Sequence, residues 1–247
     1  MDVIYTIWLR NVKRYLRSKS RIVGSLGMPL FFLLVMGFGL NSLVQVGGSG
    51  GGYIGFIVPG IVAMSVLFTS MFSGIQVIWD KQFGFLKEIL VSPASRFSIM
   101  AGKVLGSSTI AVFEGLIVLI LGPLVGAQIT LTKVVLCIVI MFFMSFILVS
   151  LGLIMSMLMK TFEGFQSVMN LIIMPMFFLS GALFPINQMP GWMTPIVKIN
   201  PATYGVDLLR LVLVGANNNN PLFDVVVLLF FTVVTMSLSV RAFSIGD

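Results

Sequence analysis

Residues 134–159 read VVLCIVIMFFMSFILVSLGLIMSMLM, a run of 26 positions without a single charge. As an α-helix rising 1.5 Å per residue it reaches about 39 Å, more than the ~30 Å hydrocarbon core of a bilayer. No interior of a domain this size needs such a helix, so the run is read as a membrane span. Working outward, comparable runs occur at residues 22–46, 53–79, 104–127, 165–184 and 222–240. The sequence therefore predicts an all-α polytopic membrane protein with six transmembrane helices in one membrane unit over residues 1–247. Composition agrees: of 247 residues 58% are hydrophobic and 9% charged, where a soluble domain carries roughly a quarter charged. A water-soluble globule and a disordered chain are both excluded.

The connections set the expected orientation. Arg10, Lys13, Arg14, Arg17, Lys19 and Arg21 precede the first span, Lys81, Lys87, Arg96 and Lys103 follow the second, and Lys160 and Arg241 follow the fourth and sixth. The other side holds only Lys133, Lys198 and Arg210. Basic residues collect on the cytoplasmic side, so both termini are expected there, in a plasma or inner membrane. The formal net charge of +7 thus points to orientation and anionic lipid, not to nucleic acid. Histidine is absent and Cys137, the single cysteine, lies within a span. Histidine catalysis, histidine or cysteine metal sites and intramolecular disulfides are excluded, and no cofactor is expected on the chain itself.

Two segments do not fit a span. Residues 1–21 put Ile4, Trp8, Val12 and Tyr15 on one helical stripe with Arg10, Lys13 and Arg17 opposite, and Asn11 interrupts the apolar side. This reads as an interfacial helix on the inner leaflet, with a solvated basic tail as the simpler alternative. Residues 185–221 carry Pro185, Pro190, Pro195 and Pro201, leaving apolar pieces at 192–199 and 203–214 too short to cross. Short re-entrant or surface helices forming an outer cap are expected, with residues 217–220 a polar turn. Within that cap Asp207 and Arg210, three apart on one helix, are expected to form an ion pair that stabilises the cap or gates it.

Residues 80–103, DKQFGFLKEILVSPASRFSIMAGK, form the longest inside connection. Phe83, Leu86, Ile89 and Leu90 share a helical face, Lys87 and Glu88 lie away from it, and Ser92-Pro93 ends the helix. Such a face needs a partner: the spans themselves, the lipid surface, or a separate protein. Asp80, Gly84, Leu86-Lys87-Glu88, Leu90, Ser92-Pro93, Arg96 and Gly102-Lys103 together resemble the pattern between the second and third spans of ABC-type-2 transporter permeases. The likeness is nearest to daunorubicin-resistance-type multidrug exporters. Residues 200–210, NPATYGVDLLR, resemble that family's second hallmark, and the likeness covers essentially the whole chain.

The resemblance implies a permease that pairs with a second copy as a homodimer and works with two copies of a cytoplasmic ABC ATPase. No G-x-x-x-x-G-K-[ST] sequence occurs in the chain, so ATP and Mg would sit on that partner, and the permease is not itself an enzyme. The ATPase-coupling residues would be Phe83, Gly84, Leu86, Lys87, Glu88, Leu90, Pro93 and Arg96, assisted by residues 160–164. Arg96 is equally suited to a phospholipid anchor.

Inside the spans, Glu114 falls about 11 residues into the third run, roughly 16 Å deep and near the middle of the core. A charge there costs at least about 2.5–3.5 kcal/mol, so it must be neutral, paired or facing water. It reads either as a substrate or proton group or as a carboxyl bonded to a neighbouring helix. Asn170, Phe177 and Phe178, around the kink expected at Pro175, join Glu114 as candidate transport-pathway residues for a hydrophobic substrate. Gly102-x-x-x-Gly106 permits close helix approach. The expected activity is export of hydrophobic, drug-like compounds by alternating access. Export of lipid-linked polysaccharide or lipid is the nearest alternative, and an ion-coupled secondary transporter the more remote one.

Overall fold

A computed structural model of the chain describes residues 2–39, 52–84 and 94–245. Ten α-helices are defined among these residues: α1 Asp2–Arg17, α2 Lys19–Gly39, α3 Gly52–Phe72, α4 Ile75–Gln82, α5 Arg96–Leu121, α6 Leu131–Leu158, α7 Phe162–Phe178, α8 Thr194–Ile199, α9 Pro201–Val214 and α10 Pro221–Ile245. The described residues contain no strand, and the molecule is the all-α polytopic membrane protein the sequence predicts.

Five segments are long and apolar enough to cross a bilayer: Lys19–Gly39, Tyr53–Gln82, Arg96–Val125, Leu131–Leu158 and Pro221–Phe243. The expected fifth span is shorter than its apolar run. Helix α7 stops at Phe178 after 17 residues, one turn beyond Pro175, and reaches about 25 Å. The third expected span is longer than read, because Ser95 caps α5 by accepting a hydrogen bond from the Ser98 N–H. At 30 residues, or about 45 Å, Arg96–Val125 exceeds the hydrocarbon core, so its first turns extend past it.

Segment Tyr53–Gln82 is the axis of the bundle and the most buried of the five. It breaks at Ser73-Gly74, between α3 and α4, where it crosses α6 closely. A Cβ on Gly74 would lie 2.4 Å from the Gly152 carbonyl oxygen, and one on Gly152 2.4 Å from that of Met71. Only hydrogen fits at either position, so backbone passes against backbone. Ile57, Ile61, Met64 and Leu67 of α3 meet Met141, Met144 and Leu148 of α6 and Phe165 and Met169 of α7 in one apolar core. Helix α10 shows the reverse pattern, exposing Leu222, Val226, Phe230 and Val233 as a lipid-facing side does.

Helix α1 is not simply laid on a surface. It packs along the first half of α5, where Gly102 and Gly106 form the floor of the contact. A Cβ on Gly102 would sit 2.9 Å from Ile7 Cβ, and one on Gly106 2.9 Å from Asn11 Cβ. The pattern read as permitting close approach therefore receives α1. Asn11, which seemed to interrupt the apolar stripe, is buried and accepts a 2.9 Å hydrogen bond from Gln76 Nε2. Trp8 Nε1 donates to Thr109 Oγ1 at 3.0 Å. The exposed side carries Lys13, Arg14 and Arg17, so one end of the bundle is basic.

The outer-cap segment divides. Helix α8 lies at the surface, with Ile196 and Ile199 exposed. Helix α9 is buried along nearly its whole length against α3, α6 and α10. The NPATYG stretch builds its start: Asn200 Oδ1 caps the Ala202 N–H, Asn200 Nδ2 donates to the Met176 carbonyl, and Pro201 occupies the first turn.

Candidate functional site

At the basic end, the two ends of the 80–103 stretch are tied together. Lys103 Nζ donates to Asp80 Oδ2 at 2.8 Å, and Arg10 Nη2 lies 3.6 Å from the same oxygen. Both members of the close pair are buried, so α1, α4 and α5 share one charged junction. Beside it, Lys81 Nζ donates to the carbonyls of Ser156 and Met157, capping the end of α6. Trp79 stacks on Phe83 and meets Phe162 of α7 edge-on. Thr161 Oγ1 accepts from the Gly164 N–H and caps α7 within the 160–164 turn.

Phe83 is the residue that closes α4. Gly84 follows with φ +76°, outside the right-handed helical range. Leu86, Lys87, Glu88, Leu90 and Pro93 lie outside the described residues. Arg96 begins α5 with its guanidinium 5.8 Å from the Phe243 ring centroid on α10.

Glu114 is buried, 1% exposed, at the meeting of α1, α2, α3 and α5. Tyr15 Oη donates to Glu114 Oε1 at 2.5 Å and Ser25 Oγ to the same oxygen at 2.6 Å, while Thr69 Oγ1 donates to Oε2. Burial, and then the carboxylate beside it, pushes the Tyr15 phenol well above its usual range, so it remains a donor. Ser25 lies four residues, about 6 Å of helix, beyond Arg21, and Tyr15 sits between Arg14 and Arg17. Those charged heads keep to water or headgroups, so Glu114 lies toward the basic end, not midway as counting from residue 104 implied. The offset arises because the first turns of α5 lie outside the core. Glu114 also lines an open cavity of about 210 Å³ between α2 and α3.

The remaining pathway candidates divide by face. Phe177 is buried and meets Phe68 edge-on. Asn170 and Phe178 are exposed on the opposite side of α7, in line with Leu171 and Met174. Asn170 therefore ends a run of exposed polar residues, Glu163, Gln166 and Ser167, beyond which the face turns apolar.

The expected Asp207–Arg210 ion pair is not formed. Asp207 instead accepts from the Asn218 and Asn219 N–H groups and from Asn218 Nδ2. Arg210 Nη2 donates to the Gly181 carbonyl at 2.7 Å, and its guanidinium carbon lies 4.2 Å over the Phe56 ring. The 217–220 turn, read as a mere polar turn, wraps over Asp207 and brings its Asn219 amide to Asp224 Oδ1. Asp224, which sequence reasoning passed over, is fully buried with Oδ2 unpaired. Its position in the first turn of an apolar helix was the available signal.

The described residues thus form a polytopic bundle of apolar helices, with a basic amphipathic helix packed along one of them and a short buried helix before the last. A family model described as ABC-2 type transporter matches residues 2–214, and the chain belongs to that family. Among relatives, the ycf38 protein of Cyanophora paradoxa, named as a transport permease, is 27% identical over 209 residues, covering 81% of this chain and 71% of that one. Nodulation protein J of Rhizobium meliloti (strain 1021) is 28% identical over 214 residues, covering 85% and 80%. YbhR of Escherichia coli (strain K12), named as a multidrug ABC transporter permease, is 28% identical over 167 residues, covering 64% and 43%.

Proposed function

We propose that the chain is the membrane subunit of an ATP-driven exporter of hydrophobic or amphipathic, drug-like compounds. Two copies form the pathway and two copies of a separate cytoplasmic ATPase, which holds ATP and Mg, drive it. The basic end faces the cytoplasm. The observation that carries this reading is the Asp80–Lys103 junction, because a displacement of the stretch it brackets reaches α1, α4 and α5 through one buried charge contact. The adjoining Lys81 and Trp79 contacts extend that reach to α6 and α7. Such a junction suits a subunit moved from outside, provided the ATPase contacts it differently in its two states. The exposed Asn170 supports pairing, since an amide costs free energy against lipid and less against a second copy or a water-filled path. Phe178, exposed on the same side of α7 as Asn170, supplies apolar wall along it.

Reconstitution in proteoliposomes with the co-purified ATPase tests the reading. Uptake of an amphipathic fluorescent dye into inside-out vesicles is expected to require ATP hydrolysis. Dye movement driven by a proton gradient, with no requirement for ATP, contradicts it.

A further inference from the structure

The cavity beside Glu114 combines features that neither packing nor the coupling junction uses. Its walls are apolar and adaptable, with Met28 from α2 and Phe68 and Phe72 from α3, and it opens to the molecular surface. Its floor is the Glu114 carboxylate, 1% exposed and held by three hydroxyl donors. Those three donors fix its orientation, and Glu114 is among the residues that line the opening. Among the described residues no basic side chain lies within ion-pair distance of it. Arg21 at the mouth is exposed, with its guanidinium carbon 5.9 Å from the Tyr15 ring centroid. The site therefore presents one carboxyl group, oriented by three hydroxyls, at the bottom of an apolar opening with Arg21 at its mouth. A carboxylate so placed is costly to hold away from water, and a cation brought into the cavity offsets that cost.

We propose that this cavity binds the protonated amine of an amphipathic cation, Glu114 supplying the counter-charge and the Met and Phe wall receiving the apolar body. The inference rests on the export reading and adds to it the charge class of the cargo. About 210 Å³ admits a head group and the first part of a chain, the remainder lying along the surface through the open side.

The test uses the full chain in nanodiscs with radiolabelled decylammonium as probe and decanol and decanoate as competitors of the same chain length. Saturable binding above that of empty nanodiscs is expected, displaced by unlabelled decylammonium and not by the neutral or anionic analogue. Glu114→Gln is expected to weaken it by at least about tenfold. Because Glu114 also joins four helices, a second variant leaves the carboxylate intact: Gly24 lines the cavity, and a Cβ there meets nothing within 4 Å. Gly24→Leu is expected to fill the mouth and weaken binding similarly. Absence of saturable binding, equal displacement by decanol, or binding unchanged in Gly24→Leu overturns the proposal; the last two place the probe elsewhere, and the first leaves Glu114 a proton-holding or structural group. The export reading fails separately, if the site binds as described yet decylammonium neither stimulates ATP turnover nor is moved by it.

Discussion

Single residues at the basic end carry charge where water is excluded, and that makes them sensitive to one-sided removal. Lys103→Ala leaves Asp80 buried with only the more distant Arg10 guanidinium, and a loss of about 3 kcal/mol in unfolding free energy in detergent is expected. Removing both charges, as Asp80→Leu with Lys103→Met, is expected to cost less than Lys103→Ala alone; a larger loss in the double variant would show the pair to be net stabilising. At the other end, Asp224 Oδ2 has no donor and Asp207 lies within hydrogen-bonding reach. Asp224→Asn supplies an N–H there, so a higher thermal midpoint is expected, by about 1 kcal/mol in stability, while Asp224→Ala lowers it. Residue types at these points were legible in the sequence; their partners were not. Tyr15 and Glu114 are 99 positions apart, and Ser25 and Glu114 are 89 apart. No local pattern joins such groups. Asn11 looked like a flaw in a stripe for the same reason, since its partner Gln76 is 65 positions away. Asp207 and Arg210 misled in the opposite sense: proximity along a helix implied a bond, while each found a better partner off the helix.

Among the elements, apolar runs fixed the spans, because a helix in lipid satisfies its own backbone and needs little else from the sequence. Ends were less legible. The start of α5 depends on a Ser95 cap nine residues before the apolar run, and the end of α7 falls within its apolar run, one turn past Pro175. The Gly102 and Gly106 floor makes a prediction at this scale. Gly106→Leu places a side chain where Asn11 lies, at 2.9 Å already from a Cβ alone, so α1 must lift from α5. Amide hydrogen exchange across residues 2–17 is expected to accelerate by more than tenfold, about 1.4 kcal/mol of lost protection, while α10 exchanges as before. Unchanged exchange in α1 would mean that the close contact contributes nothing to holding it. The buried course of α9 was half legible: its length excluded a span, but nothing local distinguished it from the surface helix α8, which is also short and apolar.

For the whole molecule, the class of protein was legible and the assembly was not, since the contacts of a second copy lie outside one chain. Asn170 gives access to the pairing. Cys137 is the single cysteine of the sequence and is buried, so Cys137→Ala with Asn170→Cys carries one exposed thiol. Oxidative cross-linking in membranes is expected to yield a covalent dimer, whereas a thiol placed on the exposed side of α10, as in Val226→Cys, is expected to leave monomer. Equal cross-linking at both positions would remove α7 as the pairing face. The central claim is that a separate ATPase drives this chain through residues 80–103, and co-purification tests it most directly. The native chain and a Leu86→Asp, Glu88→Arg variant are purified from membranes in parallel and assayed for bound ATPase and ATP turnover. The account predicts that an ATPase accompanies the native chain and is lost from the variant, which still elutes as a folded species. A folded native chain that brings no ATPase, or a variant that retains it fully, contradicts the account.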